Sequence, residues 1–174
     1  DELLFYEFSD KFQSLEEVAI QIFDSKGKSV RKYSKSDLTK QSTGEGLVPD
    51  GKVYYINPAV PGYPVTIQID YELKYNGILD YPDFEVQLPE QSVEHAVFSV
   101  KILPELDMRF KTKNTLITPV ITNDGKNKIY TWTVNNLPAL EYESGSVSRE
   151  SRYPKIVVSP NKFELDGYEG DMSS

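Results

Sequence analysis

The chain has 174 residues, 27 acidic against 19 basic, for a formal charge of −8, and contains no cysteine. Disulfides, thiolate metal sites and a cysteine nucleophile are excluded within this sequence. An acidic balance with a pI of about 4.8 argues against a nucleic-acid binder, which needs a basic footprint.

Hydrophobic residues make up 39%, and 12 Tyr and 8 Phe carry much of that bulk, enough for the core of one domain of this length. No apolar run reaches the length of a membrane-spanning helix. The chain opens directly on strand-like residues, Leu3-Leu4-Phe5-Tyr6, with no signal-peptide pattern before them, and reads as a processed or trimmed chain.

Leu3 to Phe8 reads as a first strand. Ser14-Leu15-Glu16-Glu17 has the spacing of a capping box, which predicts at most one helical turn. Val18 to Phe23 alternates and is β-branched, a strand. Asp24 to Lys28 supplies turn chemistry, and Ser29 to Tyr33 returns as its hairpin partner. The cluster of Lys26, Lys28, Arg31, Lys32, Lys35 and Lys40 is interrupted by Asp37 and reads as a charged hairpin surface. Ser34 to Gly51 is polar and reads as a functional or mobile loop. Val53 to Ile56 is a short strand, followed by a proline-punctuated connection through Pro64. Val65, Ile67, Ile69, Tyr71 and Leu73 then alternate with polar residues, predicting a strand with those five facing inward.

Phe84 to Leu88 alternates again. Ala96, Phe98, Val100 and Ile102 form the inward row of the next strand, and Leu106, Met108 and Phe110 that of another. Pro119 confines Thr115 to Thr122 to an edge or a bulge. Asn123-Asp124-Gly125-Lys126 is hairpin chemistry, leading into Ile129 to Val134. On that strand Tyr130, Trp132 and Val134 share one face, and the indole is the keystone of a predicted sheet-on-sheet core. Ser144 to Arg152 reads as a flexible loop. Lys155 to Ser159 is continuous enough in apolar character to be a central strand. These elements predict an all-β fold, an immunoglobulin-like or related antiparallel β-sandwich of about ten strands with little helix. The sandwich spans residues 1–160, and 161–174 form an acidic linker toward a downstream domain.

Chemistry-bearing residues are sparse. His95 is the only histidine, so a histidine-based metal site is excluded, and a Ser-His pair would rest on it alone. Glu141 with Glu143, and Asp70 with Glu72, have the spacing of any solvated strand face. Glu164, Asp166, Glu169 and Asp171 offer oxygens for calcium but follow no calcium-loop spacing. There is no phosphate-cradling glycine loop. Tyr54, Tyr55, Tyr63, Tyr71, Tyr75 and Tyr81 crowd one stretch. With Tyr71 assigned to the core, Tyr54, Tyr55 and Tyr63 are the candidate ligand-binding residues. They would serve a carbohydrate-binding module that stacks sugar rings on exposed aromatics.

The run Tyr130-Thr131-Trp132-Thr133-Val134-Asn135-Asn136-Leu137-Pro138-Ala139-Leu140-Glu141 carries a further signal. With Asp24 to Lys28, Lys35-Ser36-Asp37-Leu38, Tyr63 to Glu72, Asn76 to Leu79, Tyr81-Pro82, Tyr153 to Val157, Ser159-Pro160, Phe163 and Gly167 to Gly170, it resembles an uncharacterised bacterial domain. That domain stands ahead of transglutaminase-like domains in exported proteins. The likeness runs in order from Phe5 to Ser174. Family members carry further strands upstream, and the transglutaminase-like domain with its Cys-His-Asp triad has no counterpart in these residues, so no catalytic residue transfers. The resemblance implies a non-catalytic accessory domain without a cofactor, exported to the periplasm, cell envelope or medium. Its implied partner is a downstream transglutaminase-like domain of cysteine peptidase or amidase type, which it would dock or orient, or whose partner it would bind.

Overall fold

Alternating apolar residues broken by Gly, Pro, Asn and Asp give short antiparallel strands throughout, and the fold is all-β. The computed structural model describes residues 4–43, 51–76, 81, 83–140, 152–165 and 167–171, with side chains 163–165 excepted. The chain divides into two units, Asp1–Gly77 and Ile78–Ser174. Each unit has its own cluster of buried side chains.

The first unit contains β1 (Phe5–Ser9), β2 (Gln13–Phe23), β3 (Ser29–Ser34), β4 (Thr39–Ser42), β5 (Lys52–Ile56) and β6 (Thr66–Tyr75). They form two three-stranded sheets, ordered β1-β5-β4 and β3-β2-β6, and every pairing is antiparallel. Leu15, Val18 and Ile20 of β2 are buried with Phe5 and Leu38. Leu15 and Val18 fall on one face only because the register slips between Leu15 and Glu17, a β-bulge that inserts one extra residue. That bulge occupies the stretch with capping-box spacing. Ser14 Oγ donates to Glu16 Oε1 at 2.5 Å, and no helical turn forms. One turn is a costly nucleus, and the β-branched run after it favours a strand.

A capping interaction forms instead at Ser34. Its backbone N–H and its hydroxyl both donate to Asp37 Oδ2, at 2.7 and 2.9 Å, starting a 3₁₀ turn over Lys35–Asp37. Much of the predicted 34–51 loop is therefore ordered as this turn and β4, while 44–50 lie outside the described residues. Gly51 closes the β4–β5 hairpin by accepting Thr43 N–H at 2.9 Å. A Cβ there would sit 2.2 Å from Thr43 Oγ1 and 2.9 Å from the Phe8 ring, so any larger residue would have to displace both side chains.

In the second unit, β7 (Phe84–Glu85), β12 (Lys155–Pro160) and β9 (Met108–Lys113) make one sheet in that order. β10 (Val120–Asn123), β11 (Lys128–Leu137) and β8 (Val93–Ile102) make another. β13 (Lys162–Leu165) and β14 (Tyr168–Asp171) form a hairpin, so most of the stretch expected to be a linker is paired; its sequence alternates at Phe163 and Leu165, as strands do.

The predicted core strand is confirmed. Trp132 has no exposed surface and is buried with Tyr130, Val134, Ile156 and Val158. Its ring meets Phe98 of β8 at 5.5 Å and Phe110 of β9 edge-on at 5.4 Å, tying the two sheets together. β12 is central, and β10, just after Pro119, is an edge. Asp124 Oδ1 accepts the N–H groups of Lys126 and Asn127 at 2.9 and 2.7 Å. With Gly125 at φ 85°, this makes the predicted turn into β11.

Candidate functional site

Tyr54 and Tyr55 are neighbours on β5 and so point to opposite faces of their sheet. Tyr54 packs against the first unit's core, with Lys35 Nζ 5.7 Å and Lys40 Nζ 5.8 Å from its ring centroid. Lys35 is held there because its ammonium also donates to the carbonyls of Leu15 and Glu16. Tyr55 is paired across the ladders with Tyr6 and Thr39. Tyr63 lies in the β5–β6 connection, 77% exposed. The strand geometry thus separates Tyr54 from Tyr55, and the two share no stacking surface.

The structure groups a different set. Tyr71, expected in the core, is 51% exposed, because β6 is an edge strand of its sheet and strand order leaves its inward row partly uncovered. Phe5 meets the Tyr71 ring edge-on at 5.5 Å. Glu7 lies two residues along β1 from Phe5, where Phe8 N–H and the Tyr71 hydroxyl favour its charged form. Burial pushes the Glu7 carboxyl above the usual carboxylate range despite those donors. Burial and the charge of Glu7 push up both Tyr71 and Tyr75. The alternation Phe5-Tyr6-Glu7 placed Glu7 on the face of Phe5; which strand lies across from that face is not a local property.

In the second unit the Asp107 carboxylate borders a cleft and gathers donors from β11 and from its own neighbour. One of its oxygens, Oδ1, accepts Lys128 Nζ at 3.0 Å, Met108 N–H at 3.1 Å and the Tyr130 hydroxyl at 3.2 Å. The hydrogen bond from Lys128 leads these in holding its carboxyl below the usual range. Asp107 borders a cleft of about 400 Å³ walled by Ile102, Leu106, Arg109 and Asn161. A second cleft of about 410 Å³ lies beside Gln87, Lys113, Tyr153 and Lys155. Lys155 there is paired with Asp83 at 2.6 Å.

His95 Nδ1 lies 2.6 Å from Asn135 Oδ1, and no nucleophile joins them among the described contacts. Asp70 accepts the Gln68 amide at 2.7 Å on the wet face of β6. Glu141, Glu143 and Asp166 lie outside the described residues. No group of three or more His, Asp or Glu is placed to hold a metal among the described residues.

The stretch after Trp132 has a structural reading. Asn136 takes φ 54°, a left-handed conformation that Asn tolerates better than most residues. The Pro138 carbonyl then accepts Gln87 Nε2 at 2.6 Å. Gln87 is 4% exposed and also donates to the Gln91 carbonyl at 2.8 Å. Asn136 to Pro138 thus fastens the end of β11 to the segment after β7.

Fold and side chains together define an antiparallel all-β protein. Residues 3–141 match the model of DUF3857, a domain of unknown function with solved structure, and the chain belongs to that family. No curated relative matches the chain. Among solved structures it is similar to a "putative protease" from Parabacteroides distasonis ATCC 8503, at a TM-score of 0.78 and 17% identity. The likeness covers 91% of this chain but 32% of that one, so the chain spans about a third of the length of the structure it matches. At that identity the likeness is one of fold.

Proposed function

We propose that this chain is a non-catalytic accessory module of a larger exported protein. It docks against, and orients, a downstream transglutaminase-like domain of cysteine peptidase or amidase type, or holds that domain's partner. The observation that carries this reading is the asymmetry of coverage, 91% of this chain against 32% of a longer chain described as a "putative protease". A module of that proportion leaves room for a separate reacting domain. The transglutaminase-like identity of that domain, and export, rest on the order of motifs that led to the family.

The residues support a supporting role. The sequence has no cysteine to act as nucleophile. Its one histidine is engaged with Asn135, and the cleft-bordering carboxylate, Asp107, is bound by three donors within its own unit. Hydrogen exchange tests the docking role. Amides of residues 1–174 are compared as the isolated chain and within the longer natural chain. Docking predicts a contiguous patch of slowed exchange in the longer chain; identical exchange at every amide contradicts it.

A further inference from the structure

The cleft of about 410 Å³ beside Gln87 has the volume of a small-molecule site. Gln87 is 4% exposed, and its Nε2 donates to the Gln91 and Pro138 carbonyls at 2.8 and 2.6 Å. Those two bonds settle which end of the amide is nitrogen. The Oε1 atom is left over, and no donor meets it among the described residues. An acceptor on a buried side chain is costly to leave unmet, and Gln87 lines the cleft. Across the sheet Glu85, Lys155 and Lys113 pair in register, so their side chains stand on one face, and all three border the same cleft. Lys155 is balanced by Asp83 at 2.6 Å and Glu85 at 3.8 Å. Lys113 has no ion pair among the described residues. It lies opposite the like charge of Lys155, an unfavourable cross-strand pairing. Tyr153 and Pro154 make a wall fastened from both sides. Asn114 Nδ2 donates to the Tyr153 carbonyl at 2.9 Å, and Val86 N–H to that of Pro154 at 3.1 Å.

We propose that this cleft binds a small organic acid that carries an N–H or O–H donor beside its carboxylate. The donor meets Gln87 Oε1, the carboxylate meets Lys113 on its flexible stem, and the carbon skeleton lies on Tyr153 and Pro154. The unmet groups select both halves of this ligand. An amine would supply the donor but meet the Lys113 charge, and a bare anion such as acetate would leave Oε1 without a donor. Gln87 and the wall are fixed before a ligand arrives, so little ordering opposes binding. The carboxyl end of a peptide, with N–H beside carboxylate, and a uronic acid, with hydroxyl beside carboxylate, share this chemistry. Every residue of the site lies in the second unit, and the site stands whether or not the accessory role does.

The test titrates the 174-residue chain with N-acetylglycine and with glucuronate, following the Gln87 side-chain amide and Tyr153 ring signals by NMR. One acid or both should shift the two signals saturably, and the tighter of them tells a peptide end from a sugar acid. N-acetylsarcosine, which lacks the N–H, should bind about fivefold more weakly than N-acetylglycine. Lys113→Gln alters an exposed side chain, and its fold is verified by an unchanged backbone spectrum. It should weaken either acid about threefold, the loss of one exposed ion pair, and leave the uncharged N-acetylglycinamide unaffected. No saturable shift with either acid overturns the site. N-acetylsarcosine binding as tightly as N-acetylglycine overturns the role of Gln87, and unchanged binding of both acids to Lys113→Gln overturns that of Lys113.

Discussion

Trp132 is the side chain on which the second unit's core depends, because it touches aromatic rings from both sheets. Trp132→Ala should cost about 3–5 kcal/mol in urea unfolding; a loss below about 1 kcal/mol would mean the ring packs little. The indole Nε1 has no hydrogen-bond partner, an uncompensated burial. Trp132→Phe removes that N–H while keeping a ring, and should therefore cost less than Trp132→Ala. Asp107 and Glu7 depend on pH in opposite directions. The Asp107 carboxyl is held below its usual range, so its contribution is present above the unfolded value and is lost as pH falls through the folded one. Asp107→Asn should destabilise at pH 7 and make little difference in strong acid. Glu7 is raised, so the folded state holds its proton more tightly and stability falls as pH rises from the ordinary carboxylate value through the raised one. Glu7→Gln should therefore be stabilising at pH 7 relative to its effect at pH 3. Denaturant titrations at the two pH values read both signs, and a pH-independent difference in either variant contradicts the assigned cause.

At the scale of elements, the alternating strands were legible because a half-buried sheet writes its two faces into the sequence with period two. β2, β6, β8 and β11 fall where that pattern puts them, and the Asn123 to Lys126 turn is there. What misled was local chemistry with two uses. Ser14 to Glu17 has capping-box spacing, yet the same residues make a bulge, while the real cap lies at Ser34, inside a stretch that reads as loop. Tyr71 sits on a perfectly alternating strand and is exposed, because exposure on an edge strand is decided by strand order, which no window of sequence contains. Gln87 was invisible for the same reason, since its acceptor at Pro138 is distant along the chain. Gln87→Leu would leave two carbonyls without their donor and should cost roughly 1–3 kcal/mol by denaturant unfolding. A change under about 0.5 kcal/mol would mean that the fastening after β11 contributes little.

For the whole molecule, the sequence carried the all-β class and the family neighbourhood, and the structure adds two units that meet at Gly77 in the chain. Each unit contributes its own alternating rows, and rows alone do not say which of them share a core. The Tyr54, Tyr55 and Tyr63 grouping was a grouping in sequence; the strand turns the first two apart, and the ring contact that does form pairs Phe5 with Tyr71. Family membership fixes the domain, and the likeness to a longer chain its fold; the accessory role proposed above is open to direct measurement. The most direct measurement compares peptide or amide hydrolysis and thermal midpoint of a chain that joins residues 1–174 to the proposed downstream domain with those of that domain alone. The account predicts a lower thermal midpoint and reduced or misregulated turnover on deletion, with no hydrolysis by residues 1–174 alone. Full turnover with an unchanged midpoint, or hydrolysis by the isolated 174 residues, would contradict it.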